Sequence, residues 1–180
     1  MTLELRGIID PKSEVRWCNR INKIMANEVF TYMGDGGRAV PKFVTHARVD
    51  SSVIIIPANA FESCLHLQEV ELPEGLKEIR TGAFLHCKSL MQMNVPSTVE
   101  IIGEGAFFGC ILFQNVNIPP LVSRIKRNTF SDCDHMLSLE LPSKLLRIEA
   151  DTFSGSNLRY FRNVAIPPRC RIKTWEIFHA

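Results

Sequence analysis

The chain has 180 residues, 46% hydrophobic and 22% charged, with a formal net charge of +2. That is enough apolar content to bury a core, and it excludes a chain disordered by composition. The near-neutral balance gives no global electrostatic reason to bind nucleic acid or a membrane, and the longest aliphatic run, Val53-Ile54-Ile55-Ile56, is far short of the ~20 apolar residues that span a bilayer.

Met1 to Arg6 places an acid where a signal peptide needs a basic start followed by an apolar run. No Asn-x-Ser/Thr acceptor occurs. Together these favour a cytoplasmic location, and four of the six cysteines, recurring at one position as a small buried apolar residue would, read as free thiols in a reducing compartment.

Residues 1–48 carry no repeat and read as an N-terminal helix and strand cap. Asp10 and Pro11 suit an N-cap and first helical position. Trp17, Ile21, Ile24 and Met25 then follow helical spacing, with Lys12, Arg16, Arg20 and Lys23 on the other side. The spacing predicts an amphipathic capping helix that covers the first coil of a repeat stack. Val29–Met33 reads as a strand and Gly34-Asp35-Gly36-Gly37 as a tight turn. A strand from Phe43 to Val49 would complete a hairpin-like lead-in. Gly34 to Ala39 formally matches a dinucleotide fingerprint, but Pro41 comes at once and no helix opens there to meet a pyrophosphate. It reads as a plain turn, with no cofactor.

From residue 49 to 180 the chain is periodic, in about five units with the last one truncated. Phe recurs at 61, 84, 107, 130 and 153, always 23 residues apart. Cys follows three positions later at 64, 87, 110 and 133, with Ser156 in the fifth unit, and Ile precedes at 56, 79, 102, 125 and 148. A fixed period of this length marks a stacked repeat protein. Apolar residues nine and eleven positions after the first four Phe alternate with a polar one, predicting a short strand. Pro73, Pro96, Pro119 and Pro142 end it, and a second short segment, such as Leu76–Ile79, returns the chain. Gly82, Gly105, Asn128 and Asp151, two before Phe, suit a left-handed or capping position. Ala-Phe-x-x-Cys is therefore expected to be one turn of α- or 3₁₀-helix that points Phe and Cys inward. The fold class expected is a mainly β (α+β) repeat solenoid of 23-residue coils, short strands plus short helical turns. Five coils at strand spacing give a stack on the order of 25 Å long.

The pattern A-F-x-x-C-x-x-L-x-x-V-x-L-P-x-x-L-x-x-I, of which Glu69 to Ile79 looks like a consensus stretch, resembles the BspA-like leucine-rich repeat family. The resemblance covers roughly 49–180. It implies a leucine-rich-repeat solenoid that binds other macromolecules, often at microbial surfaces, with no reaction and no catalytic residues.

Cysteines occurring once per coil form a line, whereas zinc needs ligands converging on one point. They read as buried core thiols. Cys64-x-His66, His86-Cys87 and Cys133-x-His135 have no third group to orient them for catalysis. The residues left free by the period lie on the strand exterior: Gln68, Glu69, Glu71, Gln92, Asn94, Gln114, Asn115, Asn117, Ser138 and Glu140, with Met91 and Leu137 beside them. They form the expected binding face.

Charge is uneven along the stack. Residues 62–105 hold seven acids and three bases, whereas 120–175 hold ten bases and five acids. The basic end, with Arg124, Lys126, Arg127, Lys144 and Arg147, is a second candidate. Nucleic acid is the weaker partner for it, because no aromatic platform or groove-reading element accompanies these bases. The leading expectation is a non-enzymatic protein-interaction scaffold with protein partners, no cofactor and no membrane span. The alternatives are nucleic-acid or polyanion binding through the basic end, or a fragment of a cell-surface adhesin-like protein.

Overall fold

A computed structural model describes residues 29–34, 40–156 and 165–173. The expected capping helix, most of the glycine turn, and the segments 157–164 and 174–180 lie outside the described residues. Among the described residues eleven short strands occur: β1 (Phe30–Tyr32), β2 (His46–Val49), β3 (Ile55–Ile56), β4 (Glu69–Glu71), β5 (Glu78–Ile79), β6 (Ile101–Ile102), β7 (Asn115–Asn117), β8 (Arg124–Ile125), β9 (Ser138–Glu140), β10 (Arg147–Ile148) and β11 (Arg171–Ile172). Every pairing is parallel and joins one coil to the next.

Two strand ladders result. The first contains β1-β2-β4 and β7-β9, joined through the Glu69–Gln92 bridge and the Gln114 N–H to Met91 O bond of 3.0 Å. The second contains β3-β5-β6 and β8-β10-β11. Ile56, Ile79 and Ile102 are successive register partners, 23 residues apart. Arg147 pairs Arg171 at 24, where the period drifts. β1 and β2 pair in parallel, so the expected hairpin is not formed: β2 is laid down beside β1 by the same coiling that lays β4 beside β2.

The prolines act as expected. β4, β7 and β9 end two residues before Pro73, Pro119 and Pro142. Each Pro carbonyl then accepts from the N–H three residues on: Leu76 at 3.3, Val122 at 3.0 and Leu145 at 3.0 Å. Proline thus closes the strand, since it has no N–H to give, and opens the turn.

The Ala-Phe-x-x-Cys segment differs from the helical turn predicted for it, and the described residues contain no helix. Backbone φ is positive two residues before Phe (Asn59, Gly82, Gly105, Asn128, Asp151) and again two residues after it (Ser63, His86, Gly109, Asp132, Gly155). Alternating hand turns every second N–H along the stack axis instead of back along the chain. In the second of these turns, Gly82, Phe84 and His86 donate to the carbonyls of Glu104, Ala106 and Phe108 at 3.0, 2.8 and 2.7 Å. The intervening N–H groups of Ala83 and Leu85 close three-residue turns onto Arg80 and Gly82. The segment is a third inter-coil ladder rather than a helix. A helix would direct its hydrogen bonds within its own coil and leave neighbours joined by side chains alone.

The core lies between the ladders. Phe61, Phe84, Phe107, Phe130 and Phe153 are fully buried and form one column. Neighbouring rings are 4.9, 5.5, 5.3 and 5.8 Å apart, with interplanar angles no greater than 17°. Tyr32 extends the column at 5.2 Å from Phe61. The cysteine column does more than pack. Cys87, Cys110 and Cys133 Sγ donate to the carbonyls of Phe61, Phe84 and Phe107 in the preceding coil, at 3.1, 3.2 and 3.3 Å. Ser156 Oγ makes the same bond to Phe130 O at 2.6 Å. The serine therefore keeps the donor, and it is chemically a member of the series.

Phe107→Ala, in the middle of the column, is expected to cost ~3–5 kcal/mol, read as a fall in the urea midpoint. Gly103→Ala is expected to cost ~1–3 kcal/mol, because a Cβ there would stand 2.3 Å from Thr81 N and 2.5 Å from Arg80 C, backbone atoms that cannot swing aside. A Gly103→Ala midpoint equal to wild type would show that the two coils are not in that close contact.

Candidate functional site: the outer face of the first strand ladder

Period-two alternation points Val70, Val116 and Leu139 inward and their neighbours outward, giving exposed–buried–exposed strands β4, β7 and β9. Parallel register then lines the outward residues up in two rows ~4.8 Å per step. One row is Glu69, Gln92, Asn115 and Ser138; the other is Glu71, Asn94, Asn117 and Glu140. All eight line a single groove of about 620 Å³. Gln68 and Gln114 line an adjoining depression of about 260 Å³ with His46, Glu69, Met91 and Gln92. Each residue expected on the face is thus on it, and Met91 and Leu137 are also exposed, at 40% and 49%.

The floor of the groove is not uniform. Between β4 and β7 the ladder narrows to the Glu69–Gln92 bridge. Among the described residues, Met93, Asn94 and Val95 make no backbone hydrogen bond to a neighbouring coil. Buried or half-covered backbone polar groups call for partners, and this stretch has none in the neighbouring coils. On the far wall, Ser138 Oγ lies 2.8 Å from Asn115 Oδ1. The surface is amide-rich at its centre, with carboxylates at both ends. Glu71 is partly neutralised: Arg48 Nε and a terminal guanidinium nitrogen donate to its two oxygens at 2.5 and 3.2 Å. That bond, with the opposite charge, holds the Glu71 carboxyl below its usual range.

His46 and Arg48 belong to this face, in register with Glu69 and Glu71, although the sequence pattern does not single them out. Thr45–Arg48 sits 23 residues before Gln68–Glu71, but without a following Leu-Pro the copy is silent as a pattern.

At the basic end, β8 and β10 bring Arg124 and Arg147 side by side, and β11 adds Arg171 in the same register. Arg127 instead pairs with Asp151 at 3.0 Å. Lys144 is exposed in the turn before β10, and Lys126 is half-buried beside β8.

The histidine and cysteine pairs do not converge. Among the described residues no group of three or more His, Cys, Asp or Glu could hold a metal ion. His86, half-buried, packs edge-on against Phe108 at 5.3 Å. Cys64, Cys87, Cys110 and Cys133 are free and buried. Burial pushes the Cys64 thiol up to about 11, and raises those of Cys87, Cys110 and Cys133 further. These are thiols kept from becoming nucleophiles.

A model of the BspA type leucine rich repeat region matches residues 44–170 in six copies. The chain belongs to this family. No curated protein matches it. Among solved structures it is similar to the T. pallidum leucine rich repeat protein, at 28% identity over 81% of this chain and 64% of that one, with a TM-score of 0.63. It is also similar to a leucine rich cell surface protein of Faecalibacterium prausnitzii A2-165, at 26% identity, 72% and 32% coverage and a TM-score of 0.59. A leucine-rich repeat protein of Bacteroides ovatus, 21% identical with a TM-score of 0.52 over 81% of this chain and 42% of that one, shares the fold. The chain spans about a third of the Faecalibacterium protein and just under two thirds of the T. pallidum one. No helix among the described residues is long and apolar enough to cross a membrane.

The thiols give a pH dependence of definite sign. A thiol released by unfolding ionises near its ordinary value of 9.0, whereas Cys64 in the fold holds its proton to about 11. Between those values the unfolded chain has lost protons that the native chain keeps, so native stability falls as pH rises and shows no such slope below pH 9. Urea midpoints from pH 8 to 11 should trace that fall, and it should be shallower in Cys110→Ser/Cys133→Ser, which keeps the hydroxyl donor and loses two titrating groups. Equal slopes in the two proteins would assign the fall to other groups.

Proposed function

We propose that the chain is a non-enzymatic interaction scaffold that binds another protein in the groove over the first strand ladder. The observation that carries this reading is the groove itself. Outward polar residues are aligned there in two rows along one groove, beside the Met93–Val95 stretch, whose backbone groups have no partner in a neighbouring coil. Repeat proteins bind through extended surfaces of this kind, and the family is one of scaffolds. The amide-rich centre suits a partner held by hydrogen bonds, while Glu69 and Glu140 at the two ends favour basic residues there.

The likeness to a cell surface protein favours one further reading of the same face, as the binding portion of an adhesin-like surface protein. Protease shaving of intact cells separates the two settings: release of the chain places it outside, and its survival until lysis places it inside.

The binding reading is tested with Gln92→Arg/Asn94→Arg/Asn117→Arg. These exposed changes should leave the melting temperature within a few degrees of wild type, because surface substitutions typically change stability by about 0.5 kcal/mol or less. A partner of this face should be captured by wild type and lost by the variant, and should cross-link to a photoreactive residue placed at Asn117 but not at Ser123. Identical captured sets from wild type and variant would remove the groove from consideration.

A further inference from the structure

The second ladder carries a row that stacking does not explain. Arg124, Arg147 and Arg171 are successive register partners on β8, β10 and β11, so three guanidinium-bearing residues are placed ~4.8 Å apart along the stack axis. Like charges directly opposite on neighbouring strands destabilise a sheet. The same position in the preceding coils is occupied by Ile55, Glu78 and Ile101, so the repeat itself does not require a base there. Elsewhere among the described residues four ion pairs form: Arg48 with Glu71, Lys77 with Glu100, Arg80 with Glu78 and Arg127 with Asp151. Among the described residues no ion pair includes a member of the Arg124–Arg147–Arg171 row. The adjoining positions, Lys126, Glu149 and Lys173, add one net positive charge.

We propose that this row binds a linear anionic polysaccharide, bearing sulfate or uronate groups, that lies along the stack axis across β8, β10 and β11. The site is separate from the groove of the first ladder and does not depend on its reading. Three aligned forks suit a chain of oxyanions better than one ion, since each guanidinium can take a sulfate or carboxylate in a two-point contact. The pitch disfavours an extended acidic peptide, whose same-face side chains recur at ~6.7 Å. Nucleic acid gains little here, because none of the exposed large apolar side chains among the described residues is aromatic, and single strands are held largely by base stacking on such rings. The acidic half of the stack confines the polymer to the C-terminal coils.

The test is binding of the full chain to chondroitin sulfate by titration calorimetry over a range of salt. Saturable binding is expected. Arg124→Gln/Arg147→Gln/Arg171→Gln should weaken it by roughly tenfold or more and flatten the dependence of log affinity on log salt by about 2–3. Lys77→Gln/Arg80→Gln, on the other half of the stack, should leave both unchanged. Circular dichroism and melting of the triple variant verify its fold. If that variant misfolds, the singly changed Arg147→Gln replaces it, with a smaller loss in the same direction. Unchanged affinity in the Arg variants, no saturable binding by wild type, or equal or tighter binding of oligo-dT or polyglutamate at matched charge would each overturn the proposal.

Discussion

The phenylalanine column is the constraint on which the rest of the structure depends. Each central Phe is used at every polar atom as well as through its ring. Its N–H donates to the next coil, as Phe84 does to Ala106 O at 2.8 Å and Phe107 to Thr129 O at 2.9 Å. Its carbonyl accepts the N–H of the cysteine three residues on, 3.1 Å for Phe84 and 3.2 Å for Phe107, and the thiol of the coil after. The ring stacks on both neighbours in near-parallel planes. A residue in that position fixes the coil pitch from its side chain and from its backbone together. This explains why the period does not vary while the central Phe residues run in series. Where the spacing lengthens, after Phe153, the strand register lengthens with it.

A second consequence is polarity. In the turn ladder every inter-coil N–H points toward the following coil, whereas in the second strand ladder Lys77 donates back to Ile54 O and Glu100 back to Lys77 O. The turn ladder is therefore uniform in sense along the stack. The first turn is left with carbonyls facing the start of the stack. Lys42 Nζ donates to one of them, Glu62 O, a cation placed where the aligned peptides present their negative end.

Much of this was legible in the sequence because the period repeats it. Five copies of Phe and Ile, and four of Cys, leave little freedom over what is buried, and alternation between Val70 and Leu72 states which side chains face out. The left-handed position before Phe was readable because Gly82, Gly105, Asn128 and Asp151 share a backbone preference. Its counterpart after Phe was not, because Ser63, His86, Gly109, Asp132 and Gly155 share no chemistry. With only one of the two left-handed positions visible, the segment looked helical; with both, its hydrogen bonds must leave the coil. The hydrogen bond made by the thiols was likewise hidden, since Cys alone reads as a small apolar residue and Ser156 as a departure from it. Which residues share the outward face of the first ladder was legible except at His46 and Arg48, whose coil has the register of a repeat without its consensus.

The same translation that builds the core acts on charge. A residue at a fixed position of the period is carried to the same place one coil on, so opposite charges in successive copies become axial pairs, as in Arg48 with Glu71 and Lys77 with Glu100. Exposed pairs of this sort contribute little individually, and their main effect is to leave the first coils nearly without free charge on that line. Like charges in successive copies have the opposite effect: they cannot neutralise one another, and the fold holds them at a fixed pitch. Relaxing such a row by moving one side chain is limited, because the strands beneath are locked by the aromatic column. A repeat protein in which stacking uses nearly all the backbone can still differ from its relatives through the charges it places at one outward position, at no cost to the core.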